Sequence, residues 1–176
     1  LLLIDIQEVY FPGGELPLNQ PEVAGTNAGL LLESFRKCGD HVIHVSHAFG
    51  AGEAIHAYVA PREGEVRIRK EQVNAFLGTE LQEILQRQGI QELVICGMQT
   101  HLCVEAAVRA ASDLGYEVML IADACATRTL QYGERIIDAD QVQACTLATL
   151  HAYATILNTS EYLIKEKIAS GRGDGK

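Results

Sequence analysis

Three side chains carry most of the chemistry available to this sequence: a cysteine, an aspartate and a lysine at positions 103, 5 and 70. Cys103 follows the apolar run Leu93-Val94-Ile95-Cys96, a break at Gly97, and Thr100, which can N-cap a helix beginning at His101. A run without a polar face is expected of a strand buried on both sides of a sheet. Cys103 then falls in the first turn of a helix, where unpaired N–H groups and the positive dipole end favour a thiolate. The same pattern also fits a small buried hydrophobe, which is what most free cysteines are. Asp5 ends a second apolar run, Leu1-Leu2-Leu3-Ile4. Lys70 closes Val66-Arg67-Ile68-Arg69-Lys70, whose alternation puts Val66, Ile68 and Lys70 on one face. A lysine in phase with inward residues is unusual, although a side chain snorkelling out of a strand end satisfies the pattern equally. Brought together, the three would form a nucleophile, a base to take its proton, and a cation to hold the developing anions.

Bringing them together falls to the intervening elements. Leu1 to Ile4 reads as a buried strand, because Phe11-Pro12-Gly13-Gly14 follows too soon for a helix to develop. A helix is predicted from Pro21 to Cys38, with Leu30, Leu31 and Phe35 inward and Gly39 closing it. Val42 to Ser46 is the next strand, joined to the first by a helical crossover that suits parallel pairing. Phe49 to Gly64 is a glycine-rich loop long enough to suspect of function. Thr79-Glu80-Leu81-Gln82 is a capping box, opening a helix with Leu81, Ile84 and Leu85 inward and Gly89 after it. The helix bearing Cys103 ends at Leu114-Gly115, and Ala106, Ala107, Ala110 and Ala111 give it a small-residue surface for close packing. Val118 to Ala122 reads as a strand ending at Asp123. A helix follows over 140–153, with Val142, Cys145, Leu147 and Leu150 among its apolar positions. Thr155 to Leu157 is a short last strand, and Thr159 or Ser160 caps a final helix.

Strand and helix alternate throughout. That predicts a three-layer α/β/α, Rossmann-like fold with a six-stranded parallel sheet in the order 3-2-1-4-5-6. Ligands bind such sheets beyond the C-terminal strand ends, where strand order reverses. Here that point lies between the strand bearing Asp5 and the strand preceding Cys103, with Lys70 reaching across from the third. Without a repeat or linker, residues 1–170 read as one domain and 171–176 as a tail whose Arg-Gly-Asp triplet reads as chance.

Composition narrows the partners. A net charge of −9 with no basic stripe excludes phosphate-backbone binding and so nucleic acid. No apolar run approaches a membrane span, and the start lacks a charged segment with a cleavage site, so a cytoplasmic location is expected. The chain opens on Leu1, so an initiator segment is expected to have been removed. Five widely spaced cysteines, an odd number without a C-x-x-C pair, fit reduced thiols and not a disulfide framework or a zinc site. Cys38, Cys96, Cys125 and Cys145 sit in or beside apolar patterns and read as structural. Gly50-Ala51-Gly52 is not a dinucleotide fingerprint, since it follows the wrong strand and lacks the third glycine.

Four segments, in order, resemble motifs of the isochorismatase-like cysteine hydrolases. They are Ile4-Asp5-Ile6-Gln7, Lys70 with Asn74-Ala75-Phe76, Gly97 to Val104, and Asp123-Ala124-Cys125-Ala126-Thr127-Arg128. The resemblance covers nearly the whole chain. It implies Cys103 as nucleophile with Asp5 and Lys70 as its catalytic partners. It further implies an oxyanion hole from the N–H groups of Gln99 and Cys103, and a cis peptide at Met98–Gln99. Gln7, Phe11, Phe49 and His101 become candidates to line the substrate pocket, with Tyr10 beside them, though each also fits plain packing. Nicotinamidases in this family bind a metal through an Asp-x-His pair that His44-Val45-Ser46-His47-Ala48-Phe49 lacks. His47 and His56 alone make a poor site, so no metal or other cofactor is expected. True isochorismatases generally lack the cysteine, which favours amide over vinyl-ether hydrolysis. The expected protein is therefore a hydrolase of a C–N bond in a small molecule through a thioester, and a homo-oligomer. A catalytically silent member that binds a small ligand or serves as an assembly subunit is the alternative. A thiol redox protein ranks behind both, because no resolving cysteine lies near Cys103 in sequence.

Overall fold

Residues 1–169 are described by the computed structural model. Leu2–Ile4 (β1) is fully buried and centres the sheet. Pro21–Cys38 (α1) follows it, with Pro21 in the first turn and Gly39 at φ +75° closing the helix. Ile43–His47 (β2) pairs in parallel with β1, and Val66–Lys70 (β3) pairs in parallel with β2. Leu81–Arg87 (α2) leads to Glu92–Met98 (β4), which lies on the other side of β1. After a π-helical turn at Thr100–Val104 come Glu105–Asp113 (α3) and Glu117–Ala126 (β5). Leu130–Tyr132 (β6) and Arg135–Ile137 (β7) form a separate antiparallel hairpin. Ala139–Leu150 (α4), Thr155–Leu157 (β8) and Thr159–Ala169 (α5) complete the described chain.

The parallel sheet runs β3-β2-β1-β4-β5-β8, the expected order with β8 as its sixth strand. The hairpin was not anticipated. Its strands are three residues each, and Tyr132 and Ile136 are exposed, so no buried alternation marks them. β5 also runs past Asp123 to Ala126. Asp123 Oδ1 accepts hydrogen bonds from the Thr159 N–H (2.8 Å) and hydroxyl (2.7 Å), tying the start of α5 to the sheet. No helix among the described residues is long and apolar enough to cross a membrane. The 171–176 tail lies outside the described residues.

Three packing expectations are corrected. Leu30 is exposed, because α1 buries Ala24, Ala28, Leu31 and Leu32 instead. Gly25 lies on the same buried side, where a side chain would collide with the Tyr58 ring of the long loop. Cys145 is exposed on α4, and Cys38 is exposed at the end of α1, so neither is a core cysteine. Cys96 and Cys125 are buried, and burial pushes the Cys125 thiol up to about 12. In the capping box, the Thr79 hydroxyl accepts from the Leu81 N–H at 3.3 Å, but Glu80 is the flanking residue and its side chain makes no cap.

Candidate active site

β1, β3 and β4 deliver one side chain each to the crevice beyond their C-terminal ends. Asp5, immediately after β1, is fully buried at φ +50°, a left-handed conformation uncommon outside glycine. Its N–H donates to the Val45 carbonyl at 2.9 Å, which holds the turn against β2. Lys70 ends β3 with its side chain wholly inside, so it does not snorkel. Its Nζ lies 2.8 Å from Asp5 Oδ2 and donates to Cys103 Sγ at 3.2 Å and to the Gln72 carbonyl at 3.0 Å. The Asp5 contact is an ion pair between two wholly buried side chains. Asp5 Oδ1 receives no hydrogen bond among the described residues.

Gly97 shapes the approach to Cys103. It adopts φ +139°, and a Cβ there would fall on the Ile4 carbonyl. The β4–β5 register shifts between Ile95 and Gly97, so the chain bends as it leaves the sheet. The Met98–Gln99 peptide is cis, as the resemblance implied. The helix does not start as predicted. Thr100 is buried and its hydroxyl finds no partner among the described residues, while Gln99 flanks a π-helical turn in which its carbonyl accepts from the N–H groups of Leu102 (3.0 Å) and Val104 (3.3 Å).

Cys103 is 3% exposed. Burial pushes its thiol up to about 12, Asp5 adds to the rise, and Lys70 opposes both. Desolvation outweighs the lysine and so favours the thiol, against the thiolate that a helix start alone would favour.

The remaining candidates separate into two groups. Gln7 is fully buried with its amide committed: Nε2 donates to the carbonyls of His47 (2.9 Å) and Glu53 (2.7 Å), and Oε1 accepts from the His47 N–H (2.8 Å). It clamps the loop. Phe11 is also buried, stacked on His56 at 3.6 Å between ring centres. Phe49 and His101 stay partly open. Phe49 stacks on His47 (4.6 Å) and meets the edge of Tyr10 (5.8 Å), and His101 Nδ1 lies 2.5 Å from the Thr127 hydroxyl. Gln99 is buried, and its Oε1 accepts from Arg128 Nε at 3.2 Å. A separate cavity between α1, β5 and α4, lined in part by Asn19, Cys125 and Gln143, shares no wall with Asp5, Lys70 or Cys103.

His47 joins the cluster without having been assigned to it. Its Nδ1 is 2.9 Å from Lys70 Nζ, 3.6 Å from Cys103 Sγ and 3.8 Å from Asp5 Oδ2. His47 ends β2, one residue beyond the strand predicted from sequence, and pairs in register with Lys70. Asp5, His47 and Cys103 offer oxygen, nitrogen and sulfur within 4.8 Å of one another, a donor set that alone would suit zinc. The Lys70 ammonium, however, already stands against all three. A metal ion would face a fixed positive charge there, so these residues fit an ammonium and not a metal. His56, the other histidine weighed as a ligand, is engaged with Phe11, and its Nε2 lies 3.7 Å from Glu8 Oε2.

A six-stranded parallel sheet in this order, with helices on both faces, is the isochorismatase-like α/β fold. The chain belongs to the isochorismatase family: the family's domain model matches residues 1–152. It is 42% identical over 175 residues to the isochorismatase family protein YddQ of Bacillus subtilis, covering 93% of this chain and 97% of YddQ. The crystal structure of an isochorismatase hydrolase from Oleispira antarctica superposes with a TM-score of 0.89 at 39% identity, covering 93% of this chain and 94% of that one. Maleamate amidohydrolase of Pseudomonas putida is 27% identical over 154 residues, covering 73% of this chain and 72% of that enzyme.

Proposed function

We propose that this family hydrolase cleaves an amide-type C–N bond of a small molecule, with Cys103 as nucleophile, Asp5 as general base and acid, and Lys70 as their shared cation. The observation that carries the reading is the contact of one buried ammonium with both the carboxylate (2.8 Å) and the sulfur (3.2 Å). The name of the maleamate amidohydrolase relative supports an amide as substrate.

A thiol pushed up to about 12 cannot be ionised in advance at neutral pH. Proton transfer to Asp5 must accompany carbon–sulfur bond formation. The carbonyl oxygen becomes an oxyanion, held by the N–H groups of Gln99 and Cys103 on the turn beside the sulfur. Collapse of that intermediate breaks the C–N bond as Asp5 returns its proton to the departing nitrogen, leaving a thioester. Water then attacks the thioester with Asp5 again as base, releasing the acid and restoring the thiol. Lys70 stays charged throughout.

Screening small amides for ammonia or amine release tests the reading. One substrate should turn over with the native protein and not with Cys103→Ala, and Asp5→Asn should lower the rate by roughly 10²–10⁴. Unchanged turnover by Cys103→Ala would remove the nucleophile assignment.

A further inference from the structure

We propose that His47 is a fourth active-site residue: a neutral imidazole whose Nδ1 accepts a hydrogen bond from Lys70 and whose Nε2–H is thereby fixed as a donor to the substrate. The role rests on the hydrolase reading above; the tautomer does not.

The Lys70 ammonium has three protons and can only donate. Its four neighbours are Asp5 Oδ2, His47 Nδ1, the Gln72 carbonyl and Cys103 Sγ, at 2.8, 2.9, 3.0 and 3.2 Å. At 2.9 Å from Nζ, a protonated Nδ1 would set two N–H groups against each other, and an imidazolium would add a second positive charge. Nδ1 therefore carries the lone pair, and the proton sits on Nε2. The ring is held in that orientation from two sides. Gln7 binds the His47 backbone at both its N–H and its carbonyl, and Phe49 stacks on the imidazole.

Exposure separates His47 from the rest of the cluster. Its side chain is 16% exposed, whereas those of Asp5 and Lys70 are wholly buried. With Nδ1 turned to the ammonium, the opposite edge of the ring, bearing Nε2–H, meets whatever enters the crevice. Nδ1 is 3.6 Å from Cys103 Sγ, and a reacting carbonyl must stand about 3–3.5 Å from that sulfur. A bound substrate thus lies beside the imidazole. The structure assigns His47 two jobs through two nitrogens: one steadies the ammonium shared by Asp5 and Cys103, and the other contacts the substrate.

Nitrogen-15 NMR of the histidine-labelled protein reads the tautomer without any substrate, with His47→Asn identifying the resonance. At neutral pH His47 should show an unprotonated Nδ1 and a protonated Nε2. In Lys70→Met the minor Nδ1–H tautomer should appear, since nothing then excludes a proton from Nδ1, and the pH at which the ring protonates should rise with the ammonium gone. A protonated Nδ1 in the native protein at neutral pH, or a native ring that protonates at the same pH as in Lys70→Met, overturns the proposal. Kinetics on an amide turned over by the native protein separates the two nitrogens. Asparagine keeps an acceptor near the Nδ1 position but no donor near Nε2, so His47→Asn should raise KM about tenfold with kcat little changed. Glutamine places an amide near Nε2 and nothing at Nδ1, so His47→Gln should lower kcat about tenfold or more. Thermal melts of both variants should stay near the native value. Native kcat and KM in both variants would refute the role of His47 while leaving the hydrolase standing. If the native protein cleaves no amide, the hydrolase reading falls and the NMR comparison alone decides this one.

Discussion

At the residue scale, the central fact is that Cys103 sits where its sulfur is both shielded and surrounded. Most reactive cysteines are activated by a lowered pKa, but here burial raises it to about 12, and the Lys70 contact only moderates the rise. The consequence can be measured by alkylating the protein with iodoacetamide and following the Cys103 peptide by mass spectrometry. At pH 7 a thiol of that pKa is ionised to only about one part in 10⁵. Alkylation should therefore be slow and rise about tenfold per pH unit through roughly pH 9, without levelling off. A plateau in the neutral range would reveal a resting thiolate–ammonium pair and remove the need for Asp5 as a base. Slow labelling also does not mark Cys103 as silent, since catalysis here depends on a carboxylate that an alkylating agent bypasses. The meeting of the three principal residues could be anticipated from sequence, Asp5 at the end of an apolar run, Lys70 in phase with the inward face of an alternating strand, and Cys103 on the turn after a buried strand. That of His47 could not, because its meaning depends on a lysine brought alongside by strand pairing.

At the element scale, Gly97 does the most with the least. It lets β4 pass against Ile4 and then bends the chain toward the turn that carries Cys103. Gly97→Ala combines a collision with the Ile4 backbone and a φ of +139° that side chains rarely adopt. It should destabilise the fold by about 3 kcal/mol or more, read as a fall in urea midpoint, with activity lost in whatever folds. A loss under about 1 kcal/mol would mean that β1 and β4 can separate at little cost and that the bend is not imposed by packing. Elements with strong punctuation were read closely from sequence, as α1 shows with Pro21 and Gly39 at its ends. Three kinds of feature escaped. On α1, Leu31 and Phe35 turn inward as read, but Leu30 was misplaced because three consecutive leucines leave the direction of the face ambiguous, and Gly25, which marks the packed side, carries no hydrophobic signal. The π-helical turn is invisible to periodicity, since it shifts the hydrogen-bond register without changing residue types. The β6–β7 hairpin buries too little to leave a pattern.

At the scale of the whole molecule, an ion network away from the site ties α1 to the β2–β3 side of the sheet. Arg36 of α1 donates through Nε (2.7 Å) and Nη2 (2.8 Å) to the two Glu65 oxygens just before β3. Glu65 Oε2 also lies 2.9 Å from His44 Nε2 on β2 and accepts from the Arg62 N–H at 2.7 Å. The Arg36 hydrogen bonds, with smaller contributions from Arg62 and His44, hold the Glu65 carboxyl down at about 2 against the partial cost of burial. Burial meanwhile lowers His44, which favours its neutral form. The sign follows directly. A carboxylate with a depressed folded pKa stabilises the fold above its unfolded pKa of about 4.3, and that stability is lost as pH falls toward about 2. Protonation of His44 in the same direction works against the native state, because a buried imidazole must then carry charge. Glu65→Gln should therefore lower stability at pH 7 by an amount on the order of 1–3 kcal/mol and flatten the decline between about pH 4.5 and 2. Chemical denaturation across that range, native against variant, checks both. Parallel curves separated by a constant offset would show that Glu65 acts through packing alone, and that acid sensitivity arises elsewhere in a chain carrying a net charge of −9.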